Sequence, residues 1–141
     1  MIKRTNTLIV GGGQAGLAMS EHLHNNKIDH IIVERDRIVE SWRSCRWDSL
    51  VANGPAWHDR FPTLEFFDIH PDSFASRERV VKYFEEFAKK INAPIHLNVN
   101  VEAVVKLPNN NGFQITTSDG VYEAKNITVA TGAFQEPIIP N

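Results

Sequence analysis

The sequence predicts an α/β fold in which a parallel sheet flanked by helices continues into a three-stranded antiparallel β-meander. Three observations predict it. The apolar runs Leu8–Val10 and Ile31–Val33 bracket a stretch of helical periodicity. A glycine turn, Gly11-Gly12-Gly13-Gln14-Ala15-Gly16, joins the first run to that stretch. Late in the chain, short alternating segments separated by turn signals replace the helical pattern.

The elements follow in order. Residues 7–10 form a strand. Residues 14–26 form a helix, with Ala15, Ala18, Met19 and Leu23 near helical spacing. Residues 31–34 form a second, parallel strand. Residues 35–76 carry Trp42, Trp47 and Trp57 and no long periodic pattern, so they read as a functional loop or a set of short helices. Over residues 77–91, Val80, Val81, Phe84, Phe87, Ala88 and Ile91 fall on one helical face. Ser76 is placed to cap that helix, with Arg79 where a capping-box acid would stand. Residues 94–97 form a short strand. Residues 99–107 and 112–117 pair across a Pro-Asn-Asn-Asn-Gly turn, and Asp119-Gly120 leads into a strand at 121–124. A last strand, 126–130, ends at Thr131-Gly132 before a proline-bearing tail.

The first three elements make the strand–turn–helix–strand unit that holds the adenosine diphosphate half of FAD or NAD(P). Gly11 permits the tight turn, Gly13 lets backbone approach a pyrophosphate, and Gly16 lets helix pack on sheet. The helix start, with Gln14 and Ala15, offers free N–H groups and a positive dipole end. Glu34, 23 residues after Gly11, is placed to accept hydrogen bonds from ribose hydroxyls. Arg35 leaves an alternative open, because an arginine there can receive a 2′-phosphate. The meander and the Ala130-Thr131-Gly132 ending argue for FAD.

Composition narrows the class. A chain of 141 residues, 42% hydrophobic and 23% charged, is long enough for one domain with a real core. A net charge of −2 gives no reason to expect nucleic acid or an anionic membrane as partner. A single cysteine, Cys45, excludes an intrachain disulfide and a Cys-x-x-Cys pair. No apolar run is long enough to span a bilayer, and the cytoplasm is the expected location. No metal site is expected: His22 and His24, two residues apart on a helix, cannot face one ion.

Four segments carry a family resemblance: Gly11–Gly16 with Glu34-Arg35; Glu40-Ser41-Trp42-Arg43; Ser49–Asn53 with Phe61-Pro62; and Val129-Ala130-Thr131-Gly132. On these the chain resembles the N-terminal FAD-binding part of the flavin-dependent monooxygenases, a group that includes flavin-containing, auxin-forming and Baeyer–Villiger enzymes. The resemblance implies a Rossmann-like FAD-binding domain over residues 1–141. It places Gly11, Gly13 and Gly16 on the pyrophosphate, Glu34 on the ribose and Arg35 beside adenine. Trp42 and Arg43 would pack near the phosphates or flavin, Val101 would contact adenine through its backbone, and Ala130, Thr131 and Gly132 would lie close to the cofactor. Asn53 aligns loosely with an asparagine held near the flavin ring and is the one catalytic candidate. The implied activity uses NADPH to reduce FAD and inserts one oxygen atom into a small organic substrate through a flavin hydroperoxide. A binding-only FAD module and another FAD-dependent reductase are the alternatives. The family carries a second glycine fingerprint for NADPH, and this sequence has one fingerprint, so the chain is expected to be truncated, with the NADPH-binding domain absent.

Three further features have two readings each. Trp42, Trp47 and Trp57 form an aromatic wall on the flavin or anchor a long loop; buried area favours anchoring for Trp47 and Trp57. His58-Asp59 is an acid–base pair only if two adjacent side chains converge, and adjacent residues usually diverge. Cys45 reads as an incidental thiol, since no base is paired with it in sequence.

Overall fold

A computed structural model describes residues 1–134, 136 and 138–140. The proline-bearing tail expected after Gly132 includes Gln135, Pro137 and Asn141, which lie outside the described residues. The elements run β1 (Lys3–Val10), α1 (Gln14–Asn25), β2 (His30–Val33), α2 (Glu40–Ser44), α3 (Arg77–Lys90), β3 (Ile95–His96), β4 (Val101–Lys106), β5 (Phe113–Thr117) and β6 (Gly120–Val129). The six strands form one sheet in the order β3-β2-β1-β6-β5-β4. Strands β3, β2, β1 and β6 pair in parallel. Strands β6, β5 and β4 pair antiparallel and form the meander. This is the expected α/β class.

Several boundaries differ, most of all in β6 and β1. The strands expected at 121–124 and 126–130 are a single strand, β6. It pairs with β5 at its start and runs beside β1 from Lys3↔Tyr122 to Val10↔Val129. The polar residues between the two apolar stretches look like a break in the sequence. In the fold they are matched across the ladder, as where Asn126 Nδ2 donates to Asn6 Oδ1 at 3.2 Å. For the same reason β1 begins at Lys3: Lys3 pairs with Asp119 at 2.6 Å and Arg4 with Glu123 at 2.9 Å, and apolar periodicity cannot show such pairs.

The pleat sends alternate residues to two cores. Ile9 and Ile32 meet Leu17 of α1 and Val80, Val81, Phe84 and Phe87 of α3. Leu8 and Val33 meet Val99, Ile115, Tyr122 and Ala124 on the other face. Helices thus cover one face, and the meander and the segment before it supply the other. Helix α3 is capped as expected, with Ser76 Oγ accepting from Arg79 N at 3.2 Å. Ser20 of α1 is buried and bonds His30 Nε2 of β2 at 2.8 Å. His30 Nδ1 lies 2.9 Å from the Ile28 carbonyl, which can only accept, so Nδ1 donates there and Nε2 accepts from the serine.

The long segment between β2 and α3 is fixed to the first core, but not by the expected anchors. Trp47 is 63% exposed and Trp57 57% exposed. The anchoring rings are phenylalanines. Phe61 stacks on Phe87 with centroids 3.9 Å apart, and Phe66 stacks on Tyr83 at 4.2 Å. The tryptophans have more area, but the phenylalanines stand opposite the aromatic face of α3, and partner position decides burial. Tyr83 Oη completes the anchor by accepting from Phe61 N and donating to the Leu64 carbonyl, each at 2.6 Å.

Replacing Tyr83 with Phe removes that hydroxyl and leaves the part-buried Phe61 N–H without its acceptor, so Y83F is expected to destabilise the chain by about 1–3 kcal/mol. Denaturant unfolding checks this, and wild-type stability in Y83F would mean that ring stacking alone holds the segment.

Candidate functional site

The carboxyl ends of three parallel strands converge at the glycine turn. Gly11 N donates to the Val33 carbonyl at 2.9 Å, and Ala130 N donates to the Val10 carbonyl at 2.8 Å. Strand β1 lies between β2 and β6, and the chain leaves β1 toward β2 through α1. The point between β1 and β6 is therefore where strand order reverses, the position at which open α/β sheets take ligands.

The glycines divide into closed and open positions. Gly11 has φ +114, and a Cβ there would stand 2.3 Å from the Ala130 carbonyl oxygen. A Cβ on Gly16 would stand 1.9 Å from the Gly11 carbonyl oxygen. These two glycines let β1, α1 and the end of β6 touch backbone to backbone. Gly13 is different: its backbone is extended, and a Cβ would meet nothing within 4 Å. That open space lies at the N-terminus of the 12-residue α1, where Gly13 caps without a side-chain hydrogen bond and Gln14 and Ala15 are exposed. Free N–H groups facing open space at a helix N-terminus suit an anion.

Glu34 extends this wall. Its Oε2 accepts from Gly12 N at 2.7 Å and its Oε1 from Asp36 N at 3.0 Å. The carboxylate is thus fixed beside the turn, and each oxygen keeps a lone pair for a hydroxyl. Gly12 in turn accepts from Val39 N at 3.2 Å. Val39 is buried with φ 52, a left-handed conformation that a β-branched residue rarely takes. The turn's carbonyl and the surrounding core hold it there, and α2 starts from it. Arg37 grips Glu40 with two hydrogen bonds of 2.6 and 2.8 Å, which, with Ser44, pull the Glu40 carboxyl down to about 2.

The remaining expected site residues fall as follows. Ala130 closes the turn through its backbone. Thr131 and Gly132 follow it, exposed, with Gly132 at φ 81. Trp42 is half-buried against the first core. Arg35 is exposed beside Asp36 at 3.4 Å. Arg43, expected near the phosphates or flavin, donates through Nε to the Ile38 carbonyl and pairs through Nη2 with Glu85 of α3. Val101 begins β4, pairs with Thr117 and packs on the second core. Asn53 is exposed on the loop after Ala52, whose N–H bonds the Ala75 carbonyl at 2.8 Å.

One pair that the sequence disfavours and one residue that it misses stand out. His58 and Asp59 do converge, with Nδ1 2.7 Å from Oδ1. The loop turns tightly enough for Asp59 Oδ2 also to accept from Gly54 N at 2.6 Å, and His58 and Gly54 together hold the Asp59 carboxyl below its usual range. The other feature is Arg46, whose guanidinium lies 5.9 Å from the Trp42 ring centroid and 5.2 Å from that of Phe134. Its spacing from Trp42, one helical turn, was the available signal. Among the described residues, no group of three or more His, Cys, Asp or Glu side chains could hold a metal, and no helix is long and apolar enough to cross a membrane.

Comparison with known proteins adds to this geometry. Residues 8–141 match the family described as pyridine nucleotide-disulphide oxidoreductase. An uncharacterized CzcO-like oxidoreductase of Geobacillus kaustophilus is 38% identical over 96% of this chain and 38% of its own length. The probable indole-3-pyruvate monooxygenase YUCCA4 of Arabidopsis thaliana is 30% identical over 95% of this chain and 33% of its own. Among solved structures, the bacillithiol disulfide reductase Bdr of Staphylococcus aureus is 27% identical, with a TM-score of 0.83 over 93% of this chain and 39% of that one. A flavin monooxygenase from Stenotrophomonas maltophilia shares the fold at 22% identity, with a TM-score of 0.88 over 99% of this chain and 42% of that one. This chain spans well under half the length of each.

Replacing Gly16 with Ala forces the Gly11 carbonyl to move, so G16A is expected to lose about 1–3 kcal/mol or more; a thermal melt equal to wild type would show that helix and turn do not pack this closely. The depressed Glu40 carboxyl contributes stability that is fully present above its ordinary value of 4.5 and is lost as pH falls toward about 2. Acid titration of the fold in wild type and E40Q checks this: the variant is expected to lose less stability over that window, and identical profiles would contradict it.

Proposed function

The chain belongs to the pyridine nucleotide-disulphide oxidoreductase family, and from that premise we propose that it is the FAD-binding portion of a flavin-dependent monooxygenase that uses NADPH and inserts one oxygen atom into a small organic substrate. The observation that carries the reading is the division of the glycine turn. Gly11 and Gly16 are closed by backbone, whereas Gly13 faces open space at a helix N-terminus on the switch point of the sheet.

The residues present fit a dinucleotide. The N–H groups at the start of α1 would hold its pyrophosphate, with Gly13 leaving room for close approach. Glu34, held by Gly12 and Asp36, would accept from the adenosine ribose. Ala130, Thr131 and Gly132 would border the site beside Gly11. Asn53 and Trp42 are the proposed residues nearest the ring. Bound flavin supplies hydride acceptance and reaction with oxygen, and the chain's part is to bind, orient and shield it. NADPH and the substrate would be held by parts of a longer protein, in keeping with the share of each relative that this chain spans.

A reductase is the second reading, favoured by the likeness to a disulfide reductase. Cys45 is exposed and is the chain's one cysteine, so no dithiol pair stands here to exchange with a disulfide. The two readings part on product: a monooxygenase consumes oxygen and yields an oxygenated compound, and a reductase yields thiols.

Mixing the chain with FAD and removing free cofactor tests the binding claim. Retained flavin absorbance near one equivalent is expected, and a colourless protein would contradict it. The variant G13V should fold as wild type, because a side chain there meets nothing, yet bind FAD at least about tenfold more weakly by filling the pyrophosphate space. Equal FAD affinity in G13V would remove the turn from the site.

A further inference from the structure

Every other arginine of the chain stands within 4 Å of a carboxylate. Arg46 does not. It is half-buried, and its Nε is buried without a hydrogen-bond partner among the described residues. Arg79 Nη1 is also buried and unpartnered, but the same guanidinium holds Asp68 and Glu86 through its other nitrogens. The neighbours of the Arg46 guanidinium are the rings of Trp42 and Phe134. Aromatic rings attract a cation but provide no in-plane acceptor for its N–H groups. A half-buried cation without a counter-charge is costly, and the missing partner is an anion.

Its position says which anion. Trp42 N bonds the Val39 carbonyl at 2.9 Å, and Val39 N bonds the Gly12 carbonyl. Phe134 follows Ala130, whose carbonyl oxygen is the atom facing Gly11. Both rings on Arg46 are thus tied to the glycine turn, one through α2 and one through the end of β6. The main chain of Arg46 is fixed as well, its carbonyl accepting from Arg77 Nη1 at 3.1 Å. The helix start offers neutral N–H donors, and no described cation within the turn balances a doubly charged diphosphate.

We propose that Arg46 is the cationic wall of the dinucleotide site and that its guanidinium pairs with the pyrophosphate of the bound dinucleotide, which is FAD on the reading above. Arg43, the arginine the sequence suggests for that place, is already paired with Glu85. The proposal rests on that reading only for the identity of the dinucleotide.

Calorimetric titration of the whole chain with FAD, ADP and NADPH tests it, in wild type, R46A and R46K, with R46Q standing in should R46A not fold. Loss of a charge-assisted pair is expected to weaken FAD and ADP alike by about 10- to 100-fold. R46K, which keeps the charge, should fall between. Melting without ligand should change little, and the salt dependence of FAD binding should flatten in R46A. R46A binding FAD and ADP as tightly as wild type overturns the proposal. So does loss of FAD with ADP unaffected, because the charge would then act at the flavin end. Wild type preferring NADPH to FAD overturns the FAD reading, while equal weakening of NADPH in R46A upholds the pyrophosphate pairing. Wild type binding none of the three overturns both.

Discussion

At the glycine turn three backbone segments meet with no room for a side chain between them. A Cβ on Gly16 would overlap the Gly11 carbonyl, and a Cβ on Gly11 would overlap that of Ala130. The end of β1, the start of α1 and the end of β6 are therefore locked together by contact that only glycine allows. The order of the sheet, the angle at which α1 leaves it and the open space beside Gly13 depend on that contact. Ile9 and Leu17, on either side of the turn, are both fully buried in the first core, so the turn is continuous with the packing that stabilises the domain.

The candidate site is assembled outward from the same point. Gly12 uses its N–H to hold Glu34 and its carbonyl to hold Val39 in a left-handed conformation. One residue without a side chain thereby positions an acid on one flank and the start of α2 on the other. Helix α2 carries Trp42, and Arg46 follows one turn later beside it. The other arginines are each matched with a carboxylate, as Arg37 with Glu40 and Arg79 with Asp68 show. Against that background an arginine set against two aromatic rings, with no carboxylate beside it among the described residues, stands out.

The central part of this arrangement was legible in the sequence because backbone geometry dictates it. A turn that needs glycine at Gly11 and Gly16 can be read from the glycines, and the apolar run Leu8–Val10 gives the strand. The parts that were not legible depend on partners distant in sequence. The phenylalanines Phe61 and Phe66 became the anchors in place of Trp47 and Trp57, since Tyr83 and Phe87 happened to face them. Strand β6 runs through polar residues that look like a break until Arg4 and Asn6 are seen across the ladder. Of two arginines three residues apart, Glu85, 42 positions beyond Arg43, took Arg43 and left Arg46 to the rings. His58 and Asp59 converge because Gly54 folds the loop back on them.

The most direct test of the account is residue-resolved: amide shifts and hydrogen exchange across the chain during titration with ADP. The account predicts that shifts and protection gather at Gly13, Gln14 and Ala15, at Glu34, and at Thr131 and Gly132. Perturbation gathered elsewhere on the surface, with the turn unchanged at saturating ADP, would contradict the claim that this backbone contact builds a dinucleotide site.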